Sequence, residues 1–437
     1  MEGGDGMQDR PSQAQGRHAA GSAAQNGGPA AQDAVKRAAQ PGQAKHAGGA
    51  AGAKPTGAVK KPAAKQAASG KPTVKQATGK PAAKKTSGKR SAKKRKAAVK
   101  KAAWRAGLSV LTVIGIVLVA ALGAGYIGFR GPSQSLGDLL TVSMLETSAL
   151  KFVPRIYYSD AEMAAIAARN QVADTDSETD TSMIVISGPG EEKPAETSVA
   201  AENLVLSEDG IDIYRVKGAT YNGFMMVVHD PSRVGVGVCR ENFNSKPGLQ
   251  LHEIVQRYGA VAGINGGGFA DSGGVGNGGR PIGLVVSGGK VLNKSGASSE
   301  HNVVAGFNRD NVLIVGKMTA AEAESKGIRD ALSFGPALVV NGEAASVKGS
   351  SSGLNPRTAI GQRADGAVLM LVIDGRTASS LGATYADMIT VLLEYGAVNA
   401  LNLDGGSSSL LYYKDNYMNK GVILTGSRDI PTAFVVR

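Results

Sequence analysis

Four textures of apolar and polar residues follow one another along the chain. Over residues 1–103 large apolar side chains are almost absent, and Ala, Gly, Lys, Gln and Pro dominate. Such a composition buries too little apolar surface to offset chain entropy, so a disordered tail is predicted there. Residues 107–128, GLSVLTVIGIVLVAALGAGYIG, carry no charge. As a helix rising ~1.5 Å per residue they match the ~30 Å hydrocarbon core of a bilayer, which predicts one transmembrane helix within 104–130. The run is too long, and too far along the chain, to read as a cleaved signal. Residues 131–202 read as a connector. Leu136–Leu150 and Asp160–Asn170 have helical character, while Gln171–Ser198, rich in Asp, Glu, Ser, Thr and Pro, reads as a mobile stalk broken by the short run MIVI. From about residue 203 short apolar runs recur between Gly, Asn, Asp and Ser, among them IDIYRV, GFMMVVH, AVAGIN, AVLMLVID, ALNLDG and TAFVV. These are strand signals. Two segments, Leu249–Tyr258 and Ala383–Tyr395, keep helical spacing; in the second, Met388, Leu392 and Tyr395 share a face with Tyr385 and Ile389. Residues 203–437 are therefore expected to form one α+β domain with a mostly β core and a few packed helices.

Charge sharpens this division. The chain carries a net +13, but residues 1–101 hold 22 Lys+Arg against 4 Asp+Glu, and the remainder holds 27 against 32. The basic character belongs to the tail, so it implies nothing about nucleic-acid binding by the folded part. Lys and Arg crowd the N-terminal side of the apolar helix, and Arg130 stands almost alone after it. The positive-inside rule then places the tail in the cytoplasm and residues 131–437 outside the cell membrane. Cys239, the one cysteine, excludes an internal disulfide framework and a CxxC metal or redox pair, and reads as a small buried strand residue.

Candidate chemistry concentrates where apolar runs end in glycine. LNLDGGSSS (401–409) delivers Asp404, Ser407 and Ser408 at a strand end, and VLMLVIDGR delivers Asp374 and Arg376. Neither set of residues can fill a core, and paired strand-end aspartates mark a catalytic or binding cleft. After AVAGI come Asn265, Gly266, Gly267 and Gly268, whose backbone N–H groups could converge on an anion. Arg357 in NPRT and Arg428 in SRDIPT offer planar forks suited to phosphate or carboxylate, each just before a strand. His301, beside Glu300 at a strand start, is a candidate acid, base or substrate contact. Asp387 and His252, on helices, read as structural or solvated. Other patterns fail on context. GxGxxG at 123–128 and 274–279 lacks a strand-to-helix setting, GSSSG at 349–353 is a polar loop, and HExxH is absent. Asp374 or Asp404 could hold Ca²⁺ or Mg²⁺, since oxygen ligands suit hard cations.

The ordered set INGGGF, PIGLVVSGGKV, SFGPALVVNGE, NPRTAIG, VIDGR, NLDGGSSS and RDIPTAFVV, over roughly 210–437, resembles the phosphodiester glycosidase family. The resemblance implies hydrolysis between an anomeric carbon and a phosphate oxygen, with Asn265, Arg357, Asp374, Asp404 and Arg428 inheriting the site. Asp374 and Asp404 would be catalytic. Asn265, Gly266, Gly267, Arg357, Arg376, Ser407, Arg428 and His301 would bind the substrate and its phosphate. The stretch GGGFADSGGVGNGGRP is longer and richer in glycine than the family pattern leads one to expect. The implied protein is a membrane-anchored extracytoplasmic hydrolase acting on sugar-1-phosphodiester linkages of envelope glycans. The alternative is a tethered, non-catalytic module that binds anionic glycans with the same arginines. A third reading gives the tail a nucleic-acid partner, but about 22 cations without interleaved aromatics fit adhesion to anionic lipid better.

Overall fold

The computed structural model describes residues 87–147, 150–173, 177–186, 201–243, 246–270, 277–295, 302–419 and 428–437. Helix α1 (Ser87–Arg130) runs unbroken for 44 residues. It begins well before the apolar stretch, so residues 87–103 are helical rather than disordered. Ala, Lys and Arg are strong helix formers, and the apolar helix downstream removes their nucleation cost. The rest of the tail, residues 1–86, lies outside the described residues. Side chains such as Leu111, Ile116 and Val119 on α1 are exposed. Among the described residues α1 is the one helix long and apolar enough to cross a membrane.

The connector does not behave as a spacer. After three residues the chain enters α2 (Gln134–Leu145), then α3 (Asp160–Arg169), which is opened by a Ser159–Glu162 capping box. Arg169 grips Asp138 with two bonds of 2.6 and 2.5 Å, and Asn170 Nδ2 donates to the same carboxylate. Desolvation alone would raise the Asp138 carboxyl, but the Arg169 and Asn170 bonds outweigh it and hold it below the ordinary value of 3.8. Asn170 Oδ1 accepts from Ser350 N–H at 2.6 Å, and Ser143 Oγ accepts from Leu354 N–H at 2.9 Å. Gly353, at φ +73°, lies so close to Ser143 that a Cβ there would collide with it. Farther on, Val172 pairs with Val347, Thr179 Oγ1 donates to Val315 O, and Ile184 from the MIVI run is buried with Val312 and Val398. The stretch expected to be a mobile stalk is thus bound along the body wherever it is described, because its few apolar and hydroxyl groups find partners there.

Replacing Arg169 with Met leaves Asp138 buried without its cation, which costs about 1–3 kcal/mol of docking. Faster hydrogen exchange across 134–170, with residues 203–437 unchanged, is the expected result. Acid should act the same way. The folded carboxyl lies below its ordinary value, so its contribution is complete above about 4 and drains away as pH falls further.

Among the described residues every strand pairing of the body is antiparallel. An eight-stranded sheet runs Leu204–Glu208, Ile211–Lys217, Asn222–Val228, Val368–Ile373, Arg357–Arg363, Ala397–Asn402, Ala337–Val340, Glu343–Ala344. A five-stranded sheet runs Lys290–Ser295, Gly283–Ser287, Ile328–Ser333, Asn302–Asn308, Leu313–Met318. A second five-stranded sheet runs Asn416–Tyr417, Leu411–Tyr413, Ala262–Asn265, Thr432–Val436, Val234–Val238. Ile213, Val236, Ile264, Phe307, Leu332, Ile360, Leu401 and Phe434 bring all three sheets into one core. Strands such as VLMLVI and AVNALN are buried on both faces, which is why they do not alternate. Helix α4 (Leu251–Arg257) packs on the third sheet, α5 (Ala320–Ser325) on the second, and α6 (Tyr385–Glu394) on the outer face of the large sheet through Met388, Ile389 and Leu392. Asp387 closes a capping box with Thr384 at the start of α6, so it is not simply solvated. Cys239 is buried, and that burial pushes its thiol pKa up, in line with an inert packing role. The architecture is α+β with a mostly β core.

Candidate active site

Antiparallel register gathers the chemistry at one edge of the large sheet. Arg357, which opens its strand, pairs with Ile373, which closes the next, and Ala359 pairs with Asn402 at the end of a third. Motifs far apart in sequence therefore leave the sheet side by side. A cleft of about 350 Å³ opens there. Its wall includes Arg357, Arg376, Asp404, Gly406, Ser407 and Arg428, together with Glu146, Asn355, Tyr385 and Asn402.

Asp404 is held by its backbone. Its N–H donates to Gly266 O at 3.1 Å, and its carbonyl accepts from Asn265 Nδ2 at 2.6 Å. Asn265 is fully buried, and its Oδ1 also accepts from Thr358 Oγ1 and from Leu410 N–H. It joins two sheets beneath the cleft and does not line it. The glycines after it are similarly committed. Gly266 and Gly267 N–H groups donate to Thr432 O and Oγ1, and Gly268 N–H donates to Ser333 O. A Cβ on Gly266 would lie 2.6 Å from Thr432 Oγ1, so glycine is needed there for close packing of two strands. The first two bonds tie neighbouring strands of one sheet and the third reaches a second sheet, so these N–H groups do not converge on an anion.

The three arginines differ. Arg357 is 4% exposed and has every nitrogen engaged: Nε with Ala383 O, Nη2 with Ser352 and Gly353, Nη1 with Glu146 at 3.1 Å. Its guanidinium also lies 4.2 Å from the Tyr385 ring centre. Burial, with Arg357 counteracting it, raises the pKa of the Tyr385 hydroxyl. Arg376 has φ +57°, a left-handed conformation uncommon for a residue with a side chain. That twist turns its guanidinium toward the LDGGS turn. Nη2 donates to Asn355 Oδ1 at 2.9 Å, and Nε is buried without a partner. Desolvation pulls its pKa down, Glu146 opposes this, and the like charge of Arg357 adds to it. Arg428 stacks on Phe269 at 4.7 Å and reaches Ser407 Oγ at 3.5 Å.

Asp374 is placed differently from Asp404. Its carboxylate accepts from Asn419 Nδ2 at 2.9 Å, and the same amide nitrogen donates to Ser409 O. Asp374 is not among the residues lining the cleft. Through Asn419 it braces the turn that follows Asp404. His301 and the glycine-rich stretch 271–276 lie outside the described residues.

Four cleft residues were not singled out in the sequence. Asn355 was legible as part of NPRT: its Oδ1 accepts from Arg376, and its Nδ2 donates to Glu146 Oε2 at 2.9 Å. Asn402 stood in NLDGG, and its buried Oδ1 has no hydrogen-bond partner. Tyr385 looked like a packing residue of an amphipathic helix. Glu146 carried no local signal, since it enters from the connector.

Among the described residues no group of three or more His, Cys, Asp or Glu gathers to hold a metal ion. Arg357, Arg376 and Arg428 line the same cleft as Asp404, a setting that suits an anion and does not fit a hard dication. The architecture and cleft define a β-rich protein with a cationic, hydroxyl-accepting site built around one strand-end aspartate. Residues 258–437 match the family model of the phosphodiester glycosidases. Among curated proteins the chain is 27% identical to bovine N-acetylglucosamine-1-phosphodiester alpha-N-acetylglucosaminidase over 38% of its own length and 33% of the relative's. It is 39% identical to the SPbeta prophage-derived protein YomE of Bacillus subtilis over 22% of its length and 15% of that relative's. The chain thus spans a third or less of these relatives. Among solved structures, the zebrafish N-acetylglucosamine-1-phosphodiester alpha-N-acetylglucosaminidase catalytic domain aligns at TM-score 0.44 and 21% identity, covering 56% of this chain and 86% of that one. An exported protein of Burkholderia pseudomallei aligns at 0.39 and 16%, covering 49% and 74%.

Proposed function

We propose that this chain is a membrane-anchored hydrolase that cleaves sugar-1-phosphodiester linkages of an envelope glycan or glycoconjugate outside the cell. The observation that carries the reading is Asp404 sharing a narrow cleft with the Arg376 and Arg428 guanidiniums. A sugar phosphodiester presents an anionic phosphate beside an electrophilic anomeric carbon. Arg376 and Arg428 stabilise the charge that collects on the departing phosphate. Asp404 acts at the anomeric carbon, as nucleophile or as base toward water, and stabilises the oxocarbenium-like transition state. A phosphate leaves readily, so strong acid assistance is less necessary. Asn402 Oδ1, buried without a partner, accepts a hydrogen bond from a sugar hydroxyl. Arg357 holds Glu146, Ser352 and Tyr385 in place and keeps the cleft wall rigid.

The anchor follows from α1. Its apolar residues cross the bilayer, exposed Trp104 lies at one interface, and the Lys/Arg-rich turns before it lie against anionic headgroups. Each such cation held near the surface contributes about 1 kcal/mol. The body then faces the outside.

The direct test is to incubate the full chain in lipid nanodiscs with a panel of sugar-1-phosphodiesters and measure released free sugar. No release from any of them, with retained binding of the anionic glycan, would leave the tethered binding module as the better account. Within the enzyme reading, Arg376→Met removes a charge-assisted contact to phosphate worth about 1.5–3 kcal/mol. kcat/KM should fall roughly 10- to 100-fold, through weaker binding of the anion and weaker stabilisation of the departing phosphate; an unchanged kcat/KM would take Arg376 out of phosphate binding.

A further inference from the structure

A second cavity, of about 300 Å³, adjoins the cleft. The two share Glu146 and Tyr385. Beyond these the chemistry changes: Val142, Leu145, Ala167, Val172 and Pro336 supply carbon surface. The cavity's outer walls are α2 and the end of α3, so the connector supplies one side of it, which lies outside the residues 258–437 matched by the family model.

Its position is fixed relative to the membrane helix. Tyr157 donates its hydroxyl to Leu122 O at 3.2 Å and stacks on Phe129 with ring centres 4.8 Å apart. Arg130 donates to Tyr157 O and pairs with Glu162 at 2.8 Å. Segment 150–158 therefore lies against the last two turns of α1. It exposes Leu150, Phe152 and Ile156 at 43%, 59% and 53%, interspersed with Lys151 and Arg155. Apolar side chains among cations suit a headgroup boundary. From there α2, twelve residues or about 18 Å long, leads to Glu146.

We propose that this cavity is the aglycone subsite, and that the aglycone is an alkyl or isoprenoid alcohol: the substrate is a lipid-linked sugar phosphodiester. The proposal rests on the reading of the cleft as a phosphodiester site. Phosphate bound by Arg376 has the sugar on one side and, past Tyr385 and Glu146, the apolar cavity on the other. A polar polymer gains nothing from such a cavity beside a bilayer, whereas a lipid chain leaving the membrane keeps its carbon covered.

The test uses the full chain in lipid nanodiscs, titrated calorimetrically with methyl phosphate and hexyl phosphate, with empty nanodiscs as blank. Each methylene buried should add roughly fourfold in affinity, so hexyl phosphate should bind at least ~30-fold more tightly than methyl phosphate. Leu145→Gln, which makes the wall polar, and Ala167→Phe, which fills the space, should each erase that preference while leaving methyl phosphate binding unchanged. Equal binding of the two probes, no binding of hexyl phosphate, or a preference that survives both substitutions would overturn the subsite. A silent sugar-release panel alongside a preference abolished by both variants would instead overturn the hydrolase and leave the subsite standing.

Discussion

Asp404→Asn is expected to reduce sugar release by ~10³-fold or more while the protein remains folded. The size follows from the role: a carboxylate acting at the reacting carbon contributes on the order of 10²–10⁴ as acid or base, and more if it forms a bond. The amide keeps the shape but brings neither the negative charge nor the basicity. Stability should change little because asparagine keeps the side chain's shape and leaves the backbone bonds of Asp404 to Gly266 and Asn265 intact. Free sugar released per minute and the melting temperature together check both halves. Turnover within a few fold of wild type would remove Asp404 from the mechanism.

Asn265→Leu is expected to act by a different route, with a stability loss of about 3–5 kcal/mol. The side chain satisfies Leu410 N–H, Thr358 Oγ1 and the Asp404 carbonyl, all at a site closed to water. Leucine fills the volume but leaves these groups unpaired, each at a cost of about 1–3 kcal/mol. Where the variant still folds, kcat should fall roughly 10²-fold, because Asp404 loses the contact that fixes its carbonyl and a displacement of about 1 Å is enough. KM should hardly move, since Asn265 does not line the cleft. A denaturant midpoint equal to wild type, or a selective rise in KM, would contradict this account and return Asn265 to substrate binding.

These two residues also show how far local sequence reaches. The motif around Asp404 was legible because Gly and Ser rarely fill a core, so a strand ending in LDGGSSS reads as a turn presenting its carboxylate; of the three serines Ser407 lines the cleft, while Ser408 and Ser409 are buried. NGGG was legible as special for the same reason, but its use was not. Glycines that point N–H groups at an anion and glycines that let two strands touch look alike until Thr432 is seen against Gly266. Asp374 and Asp404 end equivalent-looking strands, and only the position of Asn419 separates the brace from the cleft carboxylate. The connector was the largest departure. Its polar composition reads as a spacer, yet Asp138, Ser143 and Asn170 each meet a partner in the body or in a neighbouring helix.

Apolar spacing alone was enough for the membrane-length helix, the β-rich body and the strand ends that carry charge, since burial periodicity and chain entropy are properties of neighbouring residues. Which charged groups meet was decided by antiparallel register, which sets Arg357, Ile373 and Asn402 at one sheet edge, and by the docking of Glu146 onto Arg357 from a helix far away in the chain. Coulomb attraction and desolvation depend on separations through space, and sequence distance does not encode them.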